Sequence, residues 1–175
     1  MEHIAKPVLI IYKVIVEGDL RKFENQSNDS ATGGGARDLR FNPLSVFRPI
    51  FIRMFPKEIK KDQYEAIFHW SHYPPTHTII HTTTANVRKE VRIACIRECL
   101  HNFPVNAGDA IFLLVMDSNG EVWPYFTSEQ SLRNDDWDPL VSSEILRGLA
   151  AKRNTKTTAA GYLDLENNVY YTNGD

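Results

Sequence analysis

The chain has 175 residues and a net charge of −2, with 20 Lys and Arg against 22 Asp and Glu. At 42% hydrophobic and 24% charged residues it falls outside the disordered class and suits one domain over 1–175 with a real core. No apolar run approaches the ~20 residues of a membrane-spanning helix, and Met1–Lys6 opens with an acid and no signal-peptide pattern, so the expectation is a cytosolic protein without a membrane partner.

Val8–Val16 is β-branched and long enough for a first strand, and Gly18-Asp19 turns the chain. Ser27–Arg40 then has the composition of a loop that approaches something closely. Gly33, Gly34 and Gly35 admit positive φ and leave no side chains in the way. Arg37, Asp38 and Arg40 follow, and an arginine fork suits phosphate or a guanine edge. The loop lacks the Gly-Lys-Ser/Thr ending of a nucleotide-hydrolase phosphate loop, and Asp38 stands where a dinucleotide fingerprint needs its third glycine. The plain alternative is a surface loop.

Leu39 and Phe41 alternate with Arg40 and Asn42, which predicts a short strand with its arginine outward. Pro43 and Pro49 are expected to break the next stretch. Ile50–Phe55 reads as a short helix or strand and Lys57–Asp62 as a charged turn. Tyr64–Trp70 and Thr76–Thr84 are strand-like. Arg88–Ile96 alternates with period two: Arg88, Glu90 and Arg92 point one way, and Lys89, Val91, Ile93 and Cys95 the other. Ala110–Met116 is the most apolar run and predicts a central strand. Ser118-Asn119-Gly120 is a hairpin signal, and Glu121–Phe126 returns, with Pro124 marking an edge or bulge. Pro139–Ala150 has helical spacing, and Val169–Tyr171 reads as a last strand. Many short strands with one or two helices predict a mainly β barrel or sandwich.

Charge is lopsided. Gly33–Lys61 carries Arg37, Arg40, Arg48, Arg53, Lys57, Lys60 and Lys61 against Asp38 and Glu58, whereas Asp117–Glu144 carries seven acids against Arg133. Such asymmetry points to a directional electrostatic face, or to chance clustering in a mixed surface.

Three segments in order resemble one family. Asn28–Gly34 resembles the Asn-Asp-Thr-Gly-Ala-Thr-Gly-Gly stretch of the N-terminal effector-binding domain of the EcoRII restriction endonuclease family. Arg88–Ile93 resembles its Arg-x-Glu-x-Arg-Ile run, and Asp109–Trp123 its next strand, polar turn and strand. The resemblance spans Val8–Ser128. It implies a seven-stranded DNA-binding pseudobarrel, related to plant B-three domains, with one or two short helices. Two arms would grip the major groove of double-stranded DNA, here Gly33–Arg40 and Arg88–Arg92. By position Arg88, Glu90 and Arg92 would read bases or hold phosphates. Asn28, Gly34, Gly35, Arg37, Asp38 and Arg40 would serve from the first arm, with Lys89 beside the second. Arg48, Arg53 and Lys57 are lesser phosphate candidates. The implied role is recognition or effector binding in a restriction-modification or phage-defence system. No catalytic site or cofactor is expected, and a nuclease domain would lie on a larger chain or a partner. The sequence departs from the family at Gly35-Ala36, where the family has His-Gln, and at Arg40, which replaces an aromatic.

Other chemistry competes. Asp38…Glu58-Ile59-Lys60 matches the Asp…Glu-x-Lys pattern of metal-dependent nucleases. Cys95, Cys99 and His101, with His69, His72, His77 or His81, offer zinc donors without the tight Cys-x-x-Cys pair; two cysteines do not make a disulfide framework. Trp70, Tyr73, Trp123, Tyr125 and Trp137 suit either base stacking or core packing.

Overall fold

The computed structural model describes residues 5–24, 37–83, 89–102, 110–134, 136–152 and 158–173. Ten strands and four helices make the chain mainly β, as expected, but with ten strands in place of seven and more helices than one or two. Among the described residues no helix is long and apolar enough to cross a membrane. The chain divides into two compact units, one drawn from 1–17 and 102–175, the other from 18–101.

The first unit is built on β1 (Pro7–Val14), which lies between β7 (Ala110–Asp117) and β9 (Ala160–Asp164), antiparallel to both. β7 also pairs with β8 (Val122–Ser128), and β9 with β10 (Val169–Thr172). Every residue of β7 and six of eight in β1 are buried. Burial on both faces requires the unbroken apolar runs that the sequence shows in place of alternation. Ile10, Tyr12, Ile111, Leu113 and Val115 form one core with Leu132 of α3 (Glu129–Arg133) and with Val141 and Ile145 of α4 (Pro139–Lys152). The β7–β8 turn is the expected hairpin. Gly120 has φ +79°, and the Asp117 carboxylate accepts from the backbone N–H groups of Asn119 (2.9 Å) and Glu121 (3.0 Å) and from Trp123 Nε1 (3.1 Å).

In the second unit β2 (Leu39–Phe41), β6 (Val91–Ile93), β5 (Thr76–His81) and β4 (Gln63–Phe68) follow one another side by side, all antiparallel. β3 (Glu58–Lys60) pairs with β4, so the expected charged turn over 57–62 holds a short strand before its turn. The pleat sends Leu39, Ile93, Ile80 and Tyr64 in register to a buried face. α2 (Leu44–Met54) supplies Leu44, Phe47, Phe51 and Met54 as its buried stripe. Phe41 meets Phe47 at 5.6 Å and Phe51 edge-on at 5.0 Å between ring centroids.

α2 corrects the expectation that Pro43 and Pro49 break this stretch. Pro43 stands at the N-cap, where a missing N–H costs nothing, and Pro49 is exposed inside the helix. Burying two phenylalanines outweighs the lost bond, a penalty of about 3 kcal/mol. α1 (Glu17–Glu24) and a 3-10 turn (Ile96–Cys99) lie outside these layers.

Candidate nucleic-acid interface

The two expected arms meet. β2 and β6 pair with Leu39 opposite Ile93, Arg40 opposite Arg92 and Phe41 opposite Val91. The pleat buries Leu39, Phe41, Val91 and Ile93 and turns Arg40 and Arg92 to the other face. Register continues the row through His81 to Gln63, so the four side chains line up across β2, β6, β5 and β4. Asn28, Gly34, Gly35 and Arg88 lie outside the described residues, as does most of the glycine loop.

Two arginines directly across a ladder repel one another. Here each is met by an acid from the opposite arm. Arg40 Nη1 lies 3.1 Å from Glu90 Oε1, and Arg92 Nη1 lies 3.5 Å from Asp38 Oδ2. Both acids are nearly covered, their side chains 11% and 6% exposed, while both arginines keep 21%. The buried Glu90 Oε1 accepts no hydrogen bond of good geometry among the described residues, so that pairing is mainly Coulombic. Asp38 does more. Its Oδ1 accepts from the backbone N–H of Cys95 at 3.2 Å, which ties the start of the first arm to the end of the second.

Lys89 and Arg37, next in sequence to Glu90 and Asp38, are exposed. Arg37 lies 3.9 Å from Glu98 with half of each side chain in solvent, a pairing too open to hold it. The Lys89 carbonyl accepts from Leu44 N–H at 3.0 Å, so the second arm's backbone anchors the first turn of α2.

Cys95 departs from expectation. It was placed on the face of Val91 and Ile93, but β6 ends at Ile93 and Cys95 is exposed in a left-handed turn at φ +47°. Burial raises its thiol pKa, and Glu98 and Asp38 raise it further. Burial pushes the Cys99 thiol up to about 12, and that thiol donates to the Ile96 carbonyl. His101 stacks on Tyr73 at 4.2 Å and meets Trp70 edge-on at 4.9 Å. Cys99 is buried and His101 packs against two aromatic rings, and among the described residues no group of three or more His, Cys, Asp or Glu could hold a metal ion. The nuclease pattern is also dispersed. Asp38 is committed to Arg92 and Cys95, and Glu58 and Lys60 sit on β3, with β4, β5 and β6 between them and β2 in the pairing order.

Of the lesser phosphate candidates, Arg48 lies 3.6 Å from Asp62 and Lys57 lies 2.8 Å from Glu65. Of the aromatics, Trp123 braces the hairpin at Asp117 and Trp137 donates to Thr127 Oγ1 at 2.9 Å. Tyr125 packs edge-on against Trp137 at 5.5 Å. These three serve packing, whereas Tyr73 is 55% exposed.

His81 was considered as a zinc donor, but its place in the arginine row is what distinguishes it. Burial is the main reason its imidazole titrates below the usual histidine value; the facing Arg92 adds to that and Asp38 opposes it. A depressed histidine pKa means the unfolded chain takes its proton first as pH falls. The stability from neutral His81 is therefore fully present above the unfolded value of about 6.5 and is lost as pH drops toward the lower folded value. Thermal melts at about pH 7.5 and about pH 5.5 should show a drop that His81→Gln diminishes. An equal drop in both proteins would remove His81 as its source.

Comparison of the chain with family models, curated proteins and solved structures gave no match.

Proposed function

We propose that this chain binds double-stranded DNA in a sequence-specific manner through the β2–β6 edge, reading the major groove. In this reading it is the cytoplasmic recognition or effector-binding part of a restriction-modification or phage-defence system. One observation carries the reading: Arg40 and Arg92, from segments about 50 residues apart in sequence, stand directly opposite one another on the face turned away from the buried one, each partly exposed. The pairing of the two arms also fits the resemblance of both segments to a two-armed DNA reader. Exposed Lys89 and Arg37, next in sequence to Glu90 and Asp38, are suited to backbone phosphates, which set register without reading sequence.

Selection from a random duplex library, then fluorescence anisotropy on the enriched and a scrambled duplex, tests this. The expected result is a preference for the enriched duplex, with log affinity falling linearly as log salt rises, by roughly 0.9 per phosphate neutralised. Equal, salt-insensitive affinity for both duplexes would overturn it.

A further inference from the structure

We infer that Asp38 and Glu90 are positioning residues, which hold the guanidinium groups of Arg92 and Arg40 and do not themselves contact bases. The inference rests on the DNA-binding reading of the β2–β6 edge and assigns a division of labour within it.

The register shows why carboxylates are needed at those two positions. Arg40 and Arg92 are direct neighbours across the ladder, and each acid sits on the other arm, two residues from the position opposite its arginine. Each of these two ion pairs runs between the arms, so each arm contributes to holding the other's arginine. The acids are also the deeper members of the quartet. Asp38 Oδ2 faces Arg92 and its Oδ1 accepts from the Cys95 amide, and with the Asp38 side chain 6% exposed and the Glu90 side chain 11%, neither acid lies as open to a base edge as the arginines do. Each arginine has five N–H donors in a fixed fork, more than a single carboxylate can take up.

A guanidinium held this way has less side-chain freedom to lose when DNA arrives. It is also neutralised: two arginines and two acids sum to no net charge. Such a quartet is a poor general phosphate clamp and a good directional donor set, suited to acceptors on a base edge. The two possible effects of the acids have opposite signs. Acids that only weaken phosphate attraction would, once neutralised, let the protein bind every duplex more tightly. Acids that position would, once neutralised, cost preference for the enriched duplex.

The test uses the full chain, the library-enriched duplex and its scrambled counterpart. Wild type is compared with Glu90→Gln, Asp38→Asn, Arg40→Ala and the double variant Glu90→Gln/Arg40→Ala, with a thermal melt of each. Glu90→Gln should lower the preference by about tenfold, and add little in the Arg40→Ala background, because its effect passes through that side chain. Asp38→Asn should behave likewise where its melt shows a folded protein; the Glu90 cycle stands without it. Additive losses in the double variant would show Glu90 acting on DNA directly and overturn the inference. Tighter binding of both duplexes by Glu90→Gln would also overturn it. If wild type prefers no duplex, the DNA reading itself fails, a result separable from either of these.

Discussion

Replacing Arg92 with alanine is expected to damage both binding and stability. On the enriched duplex, loss of a base-reading arginine should cost about 1–3 kcal/mol, with a smaller loss on scrambled DNA. Stability falls for a separate reason. Asp38 is 6% exposed and would keep its charge with only the Cys95 amide for company. Breaking a fully buried pair costs about 3–5 kcal/mol, and since Arg92 is about one-fifth exposed, a cost near 2–3 kcal/mol is expected. Relief of the Arg40–Arg92 repulsion offsets part of it. Urea melts read the stability cost and anisotropy the other. Equal loss on both duplexes would reduce Arg92 to a phosphate or purely structural contact.

Gly161→Ala should be the most destabilising small change in the first unit. A Cβ there would collide with the Tyr171 carbonyl oxygen, and would come within 2.6 Å of the Tyr12 hydroxyl. The carbonyl belongs to β10, which pairs with β9, so it cannot rotate away as a flexible side chain would. Overpacking usually costs about 1–3 kcal/mol; a clash with paired backbone should exceed about 3 kcal/mol. That is a large share of the 5–15 kcal/mol typical of a folded domain. A melt within a degree or two of wild type would show that β9 and β10 can part to admit a methyl group.

The contrast between β1 and β9 shows what the sequence made legible. β1 and β7 are buried on both faces, so their apolar runs announce them without tertiary information. The β7–β8 turn is equally plain, since Asn119-Gly120 supplies the residue that tolerates positive φ. β9 was missed. Its glycine weakens any strand signal, and the need for that glycine comes from the Tyr171 carbonyl on the neighbouring strand and from Tyr12, about 150 residues away. α1 was read as a turn because only Leu20 and Phe23 mark its buried side. α3 is five residues long and held at its start by the Ser128 hydroxyl, too short for periodicity to show.

At the candidate interface, alternation placed Glu90 and Arg92 on one face and Arg40 outward. It could not show that the arms pair with Arg40 opposite Arg92, because register is settled by burial of Leu39, Phe41, Val91 and Ile93. The diagonal ion pairs follow from that register. Asp38 is nearly covered, and Cys95 leaves the strand because β6 is only three residues long. Glycines do not explain its turn: a cysteine holds the left-handed position, with its amide bound to Asp38.

The way the chain is divided has a consequence for its birth on the ribosome. The unit drawn from 18–101 is one uninterrupted stretch and can begin to collapse while the polymer is still emerging. β1 is made earlier, and its two strand partners among the described residues, β7 from Ala110 and β9 from Ala160, are made after that stretch. At roughly 5–20 residues per second, the sticky segment Leu9–Tyr12 waits for some 5 to 20 seconds with its apolar side chains unclaimed. Nascent-chain chaperones that recognise short aliphatic runs would find their substrate there, and a slowed translation rate should lower the soluble yield of this protein more than that of one whose first strand pairs at once.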